Sequence, residues 1–239
     1  MKEELQSQNT SKNVHKQIKI PADPVMIPNL LEKNQAQELI KFHREHDHLY
    51  RIGNEREYLG IRFMHIHTQW IRDLLIRISY DLVGNIRKIS NQVVWPEMIA
   101  LNEWPIGGEQ HPHVDTYSNQ EMNHQTTIDR PAREWTCILY LNDDFRGGRT
   151  YIPEGQEMNF DGVVRDYQYQ VFEPEACAGL LFQGIYLPHG VEKIRRNSRY
   201  TVSFWFSSSP EKQMMMQPVH DLNLDEDSWR LAMKEDGRI

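Results

Sequence analysis

"RYTVSFWFS" occupies residues 199–207 and sets the architecture. Alternate side chains on a strand point to opposite faces. Tyr200, Val202, Phe204 and Phe206 therefore make one apolar face, and Arg199, Thr201, Ser203 and Trp205 make the other. A strand apolar on one side and polar on the other has one face on a core and a second face with another task. Seven more segments of the same grain lie upstream, beginning after Pro96: "EMIALNEW", "EQHPHVDTY", "WTCILYLN", "GRTYIP", "YQYQVFEP", "AGLLFQG" and "LPHGVEKI". Short strands in close succession, separated by turn residues, predict a sandwich or jelly roll.

Upstream of Pro96 the period changes from two to 3.6. Leu31, Ala36, Leu39, Ile40 and His43 predict a helix over 34–46. Ile71, Leu74, Leu75, Ile78, Leu82, Ile86 and Ile89 form a longer stripe that predicts a helix over 68–89, with Thr68 as its cap. The expected fold is mainly β with N-terminal helices: a double-stranded β-helix supported by two helices packed on one sheet. The apolar face of 199–207 is the surface they would cover.

The expected organisation is a flexible polar tail over 1–18, a helical support region over 19–95, a β-helix core over 96–207 and a C-terminal tail over 208–239 with a short-helix candidate at "DEDSWRLAMK". Long polar connections interrupt the core at 117–132 and 155–167. The first of these could be a lid that folds over a peptide or a solvated insertion.

Composition narrows the function classes. The chain has 239 residues and a net charge of −7, which argues against a general phosphate-binding surface and a nucleic-acid partner. The N-terminal residues lack the apolar core of a secretory signal, and no run is long and apolar enough for a membrane helix. Two cysteines, Cys137 and Cys177, sit in strand-like runs and read as buried free thiols rather than a disulfide framework. These features predict a reducing, cytoplasmic location and no membrane partner.

The chemistry-bearing pattern lies in "EQHPHVDTYS", residues 109–118. On a strand, His111, His113 and Asp115 share a face. A His-x-Asp pair can present an imidazole and a carboxylate to one metal ion, but it needs a third ligand. Alone it is equally the pattern of a polar surface strand, and the pairs His46/His48 and His65/His67 are read as surface or ordinary packing. The third ligand candidate is His189. Ten residues later, Arg199 stands on the polar face of the last strand, where a buried guanidinium needs an anion; the competing reading leaves it in solvent. Two histidines and a carboxylate form the facial triad of non-haem Fe(II) oxygenases, which leaves positions open on the metal. A 2-oxo acid can chelate there, and a guanidinium can grip its far carboxylate.

From Pro96 to Phe206 the chain resembles the 2-oxoglutarate- and Fe(II)-dependent oxygenases of the prolyl 4-hydroxylase type. "QHPHVDTY" is similar to the family's His-x-Asp motif, "REWTCILYLNDDFRGGRTYIP" to its "R-x-x-T…YLN…GG-x-T-x-F-P" block, and "LPHGVEKIRRNSRYTVSFWF" to the block carrying the second histidine and a basic residue. The resemblance implies His113, Asp115 and His189 as iron ligands and catalytic residues, with Arg199 and Tyr140 binding 2-oxoglutarate. It implies hydroxylation of an unactivated C–H bond, most readily on a prolyl residue of a peptide or protein, coupled to decarboxylation of 2-oxoglutarate to succinate. Molecular oxygen is the further substrate and ascorbate the auxiliary reductant. Asp115 favours hydroxylation, because halogenating relatives lack that carboxylate. Trp104 stands where many relatives have a tyrosine, so a hydrogen bond to co-substrate or substrate is expected to be missing there. Arg149 and Tyr151 replace a common glutamate and phenylalanine. His111 is an alternative to His113 as ligand; the motif spacing favours His113. Two other functions stay in view: a non-catalytic metal-binding jelly-roll module, and a cupin-type metalloenzyme that does not use 2-oxoglutarate.

Overall fold

The computed structural model describes residues 22–49, 51–52, 58–115, 133–154 and 168–208. The tails, the 117–132 lid candidate, the 155–167 connection and the C-terminal helix candidate lie outside the described residues.

In chain order the elements are β1 (Val25–Ile27), α1 (Lys33–Glu45), β2 (Arg51–Ile52), β3 (Leu59–Arg62), α2 (Gln69–Ser90), β4 (Trp95–Trp104), β5 (Gln110–His113), β6 (Trp135–Tyr140), β7 (Thr150–Glu154), β8 (Gln168–Phe172), β9 (Gly179–Phe182), β10 (His189–Val191) and β11 (Arg199–Ser207). The strands form two antiparallel sheets, a larger one ordered β1-β9-β6-β11-β4-β3-β2 and a smaller one ordered β5-β10-β7-β8. All eight strands expected after Pro96 are present. With two helices on one sheet, this is the mainly β, jelly-roll architecture that the alternation implied. β1, β2 and β3 were not expected; at two to four residues they are too short to show a period, and they form only as additions to the edges of the larger sheet.

β11 is the spine. It lies between β4 and β6, with Thr201 paired to Asn102 on one side and Tyr140 on the other. Its even-numbered residues Tyr200, Val202, Phe204 and Phe206 belong to the main hydrophobic cluster together with Leu39 and Phe42 of α1 and Ile71, Leu75, Ile78, Leu82 and Ile86 of α2. The helices thus dry one face of the larger sheet, and the odd-numbered face of β11 looks toward the smaller sheet. A second cluster of Tyr140, Ile152, Leu180 and Phe182 fills the space between the sheets.

Local details depart from expectation at the helix ends. Thr68 is the N-cap residue of α2, but its side chain makes no capping hydrogen bond. The helix closes at Asn91, left-handed with φ 56°, whose N–H donates to Arg87 O at 2.9 Å. Ile89 continues the stripe in sequence yet is 39% exposed. His43 sits in the α1 stripe and is fully buried, its imidazole bonded to Leu59 O at 2.9 Å and 3.7 Å from Glu103. His46 packs locally, stacking on Phe42 with ring centroids 4.0 Å apart. Both cysteines are buried free thiols. Among the described residues, no helix is long and apolar enough to cross a membrane.

Candidate metal centre and the pocket beneath it

The smaller sheet brings the two histidines together. His189 opens β10 and is paired directly with His113 at the end of β5. Their rings lie 4.4 Å apart, centre to centre. Asp115 is two residues beyond the strand, so simple strand alternation does not place it. It is held instead by its own N–H, which donates to Gly184 O at 2.9 Å, and by its Oδ2, which accepts a hydrogen bond from the Thr136 hydroxyl. His113 Nε2 is 3.8 Å from Asp115 Oδ1, and His189 Nε2 is 3.7 Å from Asp115 Oδ2. One ligand atom from each of the three residues lies within 4.8 Å of the others.

Both imidazoles are oriented alike. His113 Nδ1–H donates to His111 O at 3.1 Å, and His189 Nδ1–H donates to Leu187 O at 3.0 Å. A carbonyl can only accept, so each Nδ1 carries the proton and each Nε2 offers a lone pair. Such an outer hydrogen bond is what fixes a metal-binding imidazole. Burial depresses the basicity of His189, with Asp115 opposing that shift, so the neutral form needed by a metal is favoured. This donor set fits one divalent ion and leaves a side open. His111 is placed differently: its side chain is exposed, and its backbone carbonyl orients the His113 ring.

The same pocket runs inward to Arg199, lined on the way by Thr136, Thr201, Ser203 and Trp104. Arg199 is 1% exposed and has no carboxylate partner among the described residues. Its Nη2 donates to Thr150 Oγ1 at 3.2 Å, and its guanidinium carbon is 5.3 Å from the ring centres of both Trp104 and Tyr140. Desolvation pulls its pKa below the usual arginine value, with Tyr140 partly offsetting this. A buried cation without a counter-ion fits an anionic ligand. Tyr140 does not line the pocket. It is fully buried, and its hydroxyl shares Thr150 Oγ1 with Arg199 at 2.8 Å.

His113, Asp115, His189 and Arg199 therefore meet in one cavity, with Tyr140 one layer behind. Thr136, Thr150 and Gly184 are site residues that sequence reading left without a role. The signal for Thr136 was there, as the one hydroxyl-bearing aliphatic residue on the apolar strand WTCILY, and both threonines fall within the matched motifs. Gly184 carried no such signal, because its role depends on what packs over it.

Residues 99–207 match the family model described as the 2OG-Fe(II) oxygenase superfamily. Human prolyl 3-hydroxylase 1 is 33% identical over 110 residues, which is 43% of this chain and 14% of that protein. The chain thus spans about a seventh of the length of the curated relative it matches. Among solved structures, a Trichoplax adhaerens prolyl hydroxylase in complex with a hypoxia inducible factor oxygen degradation domain peptide aligns with a TM-score of 0.58 and 15% identity, over 82% of this chain and 87% of that one. A Pseudomonas putida prolyl-4-hydroxylase aligns with a TM-score of 0.54 and 15% identity, over 78% and 92%. At such identities the structural likeness speaks for the fold. Family match and relatives agree on one class for residues 99–207, which are similar to the 2OG-Fe(II) oxygenase superfamily and to the prolyl 3-hydroxylases among its members, and the solved structures agree in fold.

Proposed function

We propose that the protein is a 2-oxoglutarate-dependent Fe(II) dioxygenase that hydroxylates a prolyl residue of a peptide or protein substrate. The reading is carried by one observation: a two-imidazole, one-carboxylate cluster shares a single cavity with a buried guanidinium that has no carboxylate partner among the described residues. His113, Asp115 and His189 would hold the metal, and Arg199 would bind the far carboxylate of 2-oxoglutarate.

When bound, iron with 2-oxoglutarate supplies oxygen activation, with decarboxylation to succinate as the source of driving force. The protein's part is positioning. His111 O and Leu187 O hold the two imidazoles with Nε2 toward the metal position. The Gly184 carbonyl fixes the backbone of Asp115 and the Thr136 hydroxyl donates to its carboxylate, so one oxygen stays committed to the protein. Thr150 fixes Arg199, and Tyr140 fixes Thr150. The apolar cluster of Tyr140, Ile152, Leu180 and Phe182 keeps the space between the sheets dry beside the site.

The prolyl substrate is supported by the names of the relatives, which include prolyl 3-hydroxylases and prolyl 4-hydroxylases, and the net charge of −7 weighs against nucleic acid. Ascorbate fits as the reductant that maintains ferrous iron. The free thiols Cys137 and Cys177 fit a reducing, cytoplasm-like compartment. The test is incubation with proline-containing peptide libraries, iron, 2-oxoglutarate and ascorbate. Succinate release and a peptide mass gain of one oxygen atom are expected, both abolished in Asp115→Ala. Fragmentation of the product then decides between ring carbons 3 and 4. A chain that binds metal but releases no succinate with any peptide would be a binding module instead. Oxygenation unaffected by omission of 2-oxoglutarate would favour the cupin-type reading.

A further inference from the structure

We propose that Trp104 is a specificity-determining residue whose indole Nε1–H donates to an oxygen of the carboxylate that Arg199 holds. The proposal rests on the co-substrate reading above and deepens it. Trp104 ends β4 directly opposite Arg199 on β11. It is 6% exposed, and its ring packs on Val191 and Ile194 and lies 4.9 Å from the Tyr58 ring. Those contacts account for the ring. They do not account for the nitrogen: Nε1 is buried with no hydrogen-bond partner among the described residues. Native interiors leave few such donors unmet.

The unmet donor is one of a group. Arg199 Nε, Thr201 Oγ1, Asn102 Oδ1 and Trp205 Nε1 are also buried without a partner among the described residues, and all five side chains line the same pocket. Arg199 and Thr201 are successive inward positions of β11, and Trp104 and Asn102 face them on β4. Guanidinium and indole nitrogens can only donate. A ligand that meets both must offer several acceptor lone pairs on one small group and carry negative charge opposite the buried cation. A carboxylate does this; an amide or hydroxyl, which brings donors of its own, does not. The inner end of the pocket is thus built to select a dianionic 2-oxo acid over its neutral-ended analogues. The hydrogen bond expected to be lost with tyrosine absent at position 104 is restored by an indole, which cannot accept and cannot ionise.

The test is calorimetric titration of 2-oxoglutarate into the full chain loaded with Mn(II), with Mn(II) affinity measured separately. Trp104→Phe is expected to bind 2-oxoglutarate about tenfold more weakly, which is ~1.4 kcal/mol, with Mn(II) affinity unchanged. Trp104→Tyr, which keeps a donor, is expected to recover most of that loss. If Trp104→Phe binds 2-oxoglutarate as the wild type does while Arg199→Ala binds it weakly, Trp104 only packs and the proposal is wrong. Equal weakening of Mn(II) and 2-oxoglutarate binding would also overturn it, as a general structural effect. If the wild type binds Mn(II) but no 2-oxoglutarate, the co-substrate reading itself fails. Should Trp104→Phe not fold, the 15N-labelled indoles of the Zn(II)-loaded wild type provide the readout, with Trp104→Tyr assigning the signal. Slowed solvent exchange of the Trp104 N–H on adding 2-oxoglutarate is expected, and unchanged exchange at saturation overturns the proposal.

Discussion

Gly184 stands against the back of Asp115. Its carbonyl accepts the Asp115 N–H at 2.9 Å, and a Cβ added at 184 would collide with both Asp115 Oδ2 and Thr136 Oγ1. The carboxylate is therefore set by a glycine 69 residues away in sequence as much as by its own segment of chain.

Gly184→Ala should displace that carboxylate and break its bond to Thr136. Loss of such an outer contact typically costs about 10–100-fold in metal affinity. Titration of the purified variant with Fe(II) or Mn(II) under nitrogen checks this, and wild-type affinity would show that Asp115 is not a ligand.

Arg199 should be costly without its anion and useful with it. In the metal-loaded wild type, 2-oxoglutarate at about 100 times its dissociation constant should add ~2.7 kcal/mol of stability. For a chain of this size that is a rise in Tm on the order of 5–10 °C. Arg199→Met should lose the rise. It should also melt no lower than the ligand-free wild type, because it removes a buried cation that lacks a carboxylate partner among the described residues. A thermal-shift series with and without 2-oxoglutarate reads both outcomes.

His43 should make the fold acid-sensitive. Burial lowers its pKa below the ordinary 6.5, with the bond to Leu59 O and nearby Glu103 only partly opposing. The unfolded chain then binds the proton more readily than the folded one. Its contribution to stability is fully present above pH 6.5 and is lost as pH falls from there toward the depressed folded value. Urea midpoints of the metal-free protein should drop from pH 7.5 to 5. His43→Gln should flatten part of that slope; the rest remains because buried His189 shifts in the same direction.

Arg149 should matter little despite its short contacts. Its Nε and Nη2 lie 2.7 Å from the two Glu192 oxygens, and Nη1 is 2.9 Å from Glu173, but its side chain is 40% exposed. Exposed ion pairs are worth roughly 0.2–1 kcal/mol. Arg149→Ala should lower Tm by only about 1–4 °C, less at high salt, and leave 2-oxoglutarate binding unchanged.

The fold was legible because its decisive signals are local. Period-two alternation at 199–207 named both faces of the spine, and the 3.6-residue stripe at Ile71–Ile86 named the helix that covers one of them. Edge strands such as Val25–Ile27 were not legible, since three residues carry no period and their pairing with β9 supplies the reason they are extended. At the site, residue types raised His113, Asp115, His189 and Arg199 as candidates and the family resemblance selected them, and the structure gathers them in one pocket. The supports were hidden: a carbonyl such as His111 O has no residue-type signature, and Gly184 matters only for the space it leaves. At Trp104 a motif comparison registers only the missing hydroxyl and cannot register that the indole nitrogen is buried without a partner among the described residues.

β11 has a consequence for how this chain can change. Arg199 and Tyr200 are neighbours in sequence, yet one guanidinium faces the cavity and the next ring faces the helices. Inserting or deleting a single residue within this ladder would transpose the two sides, driving charge into oil and aromatic rings into the ligand chamber. The irregularity the ladder does tolerate, between Trp205 and Phe206 opposite Met98 and Pro96, comes after the inward series from Arg199 to Trp205 is complete. Heritable variation along this strand should therefore consist of replacements and not length changes, since any indel would cost the molecule its scaffold and its chemistry in one stroke.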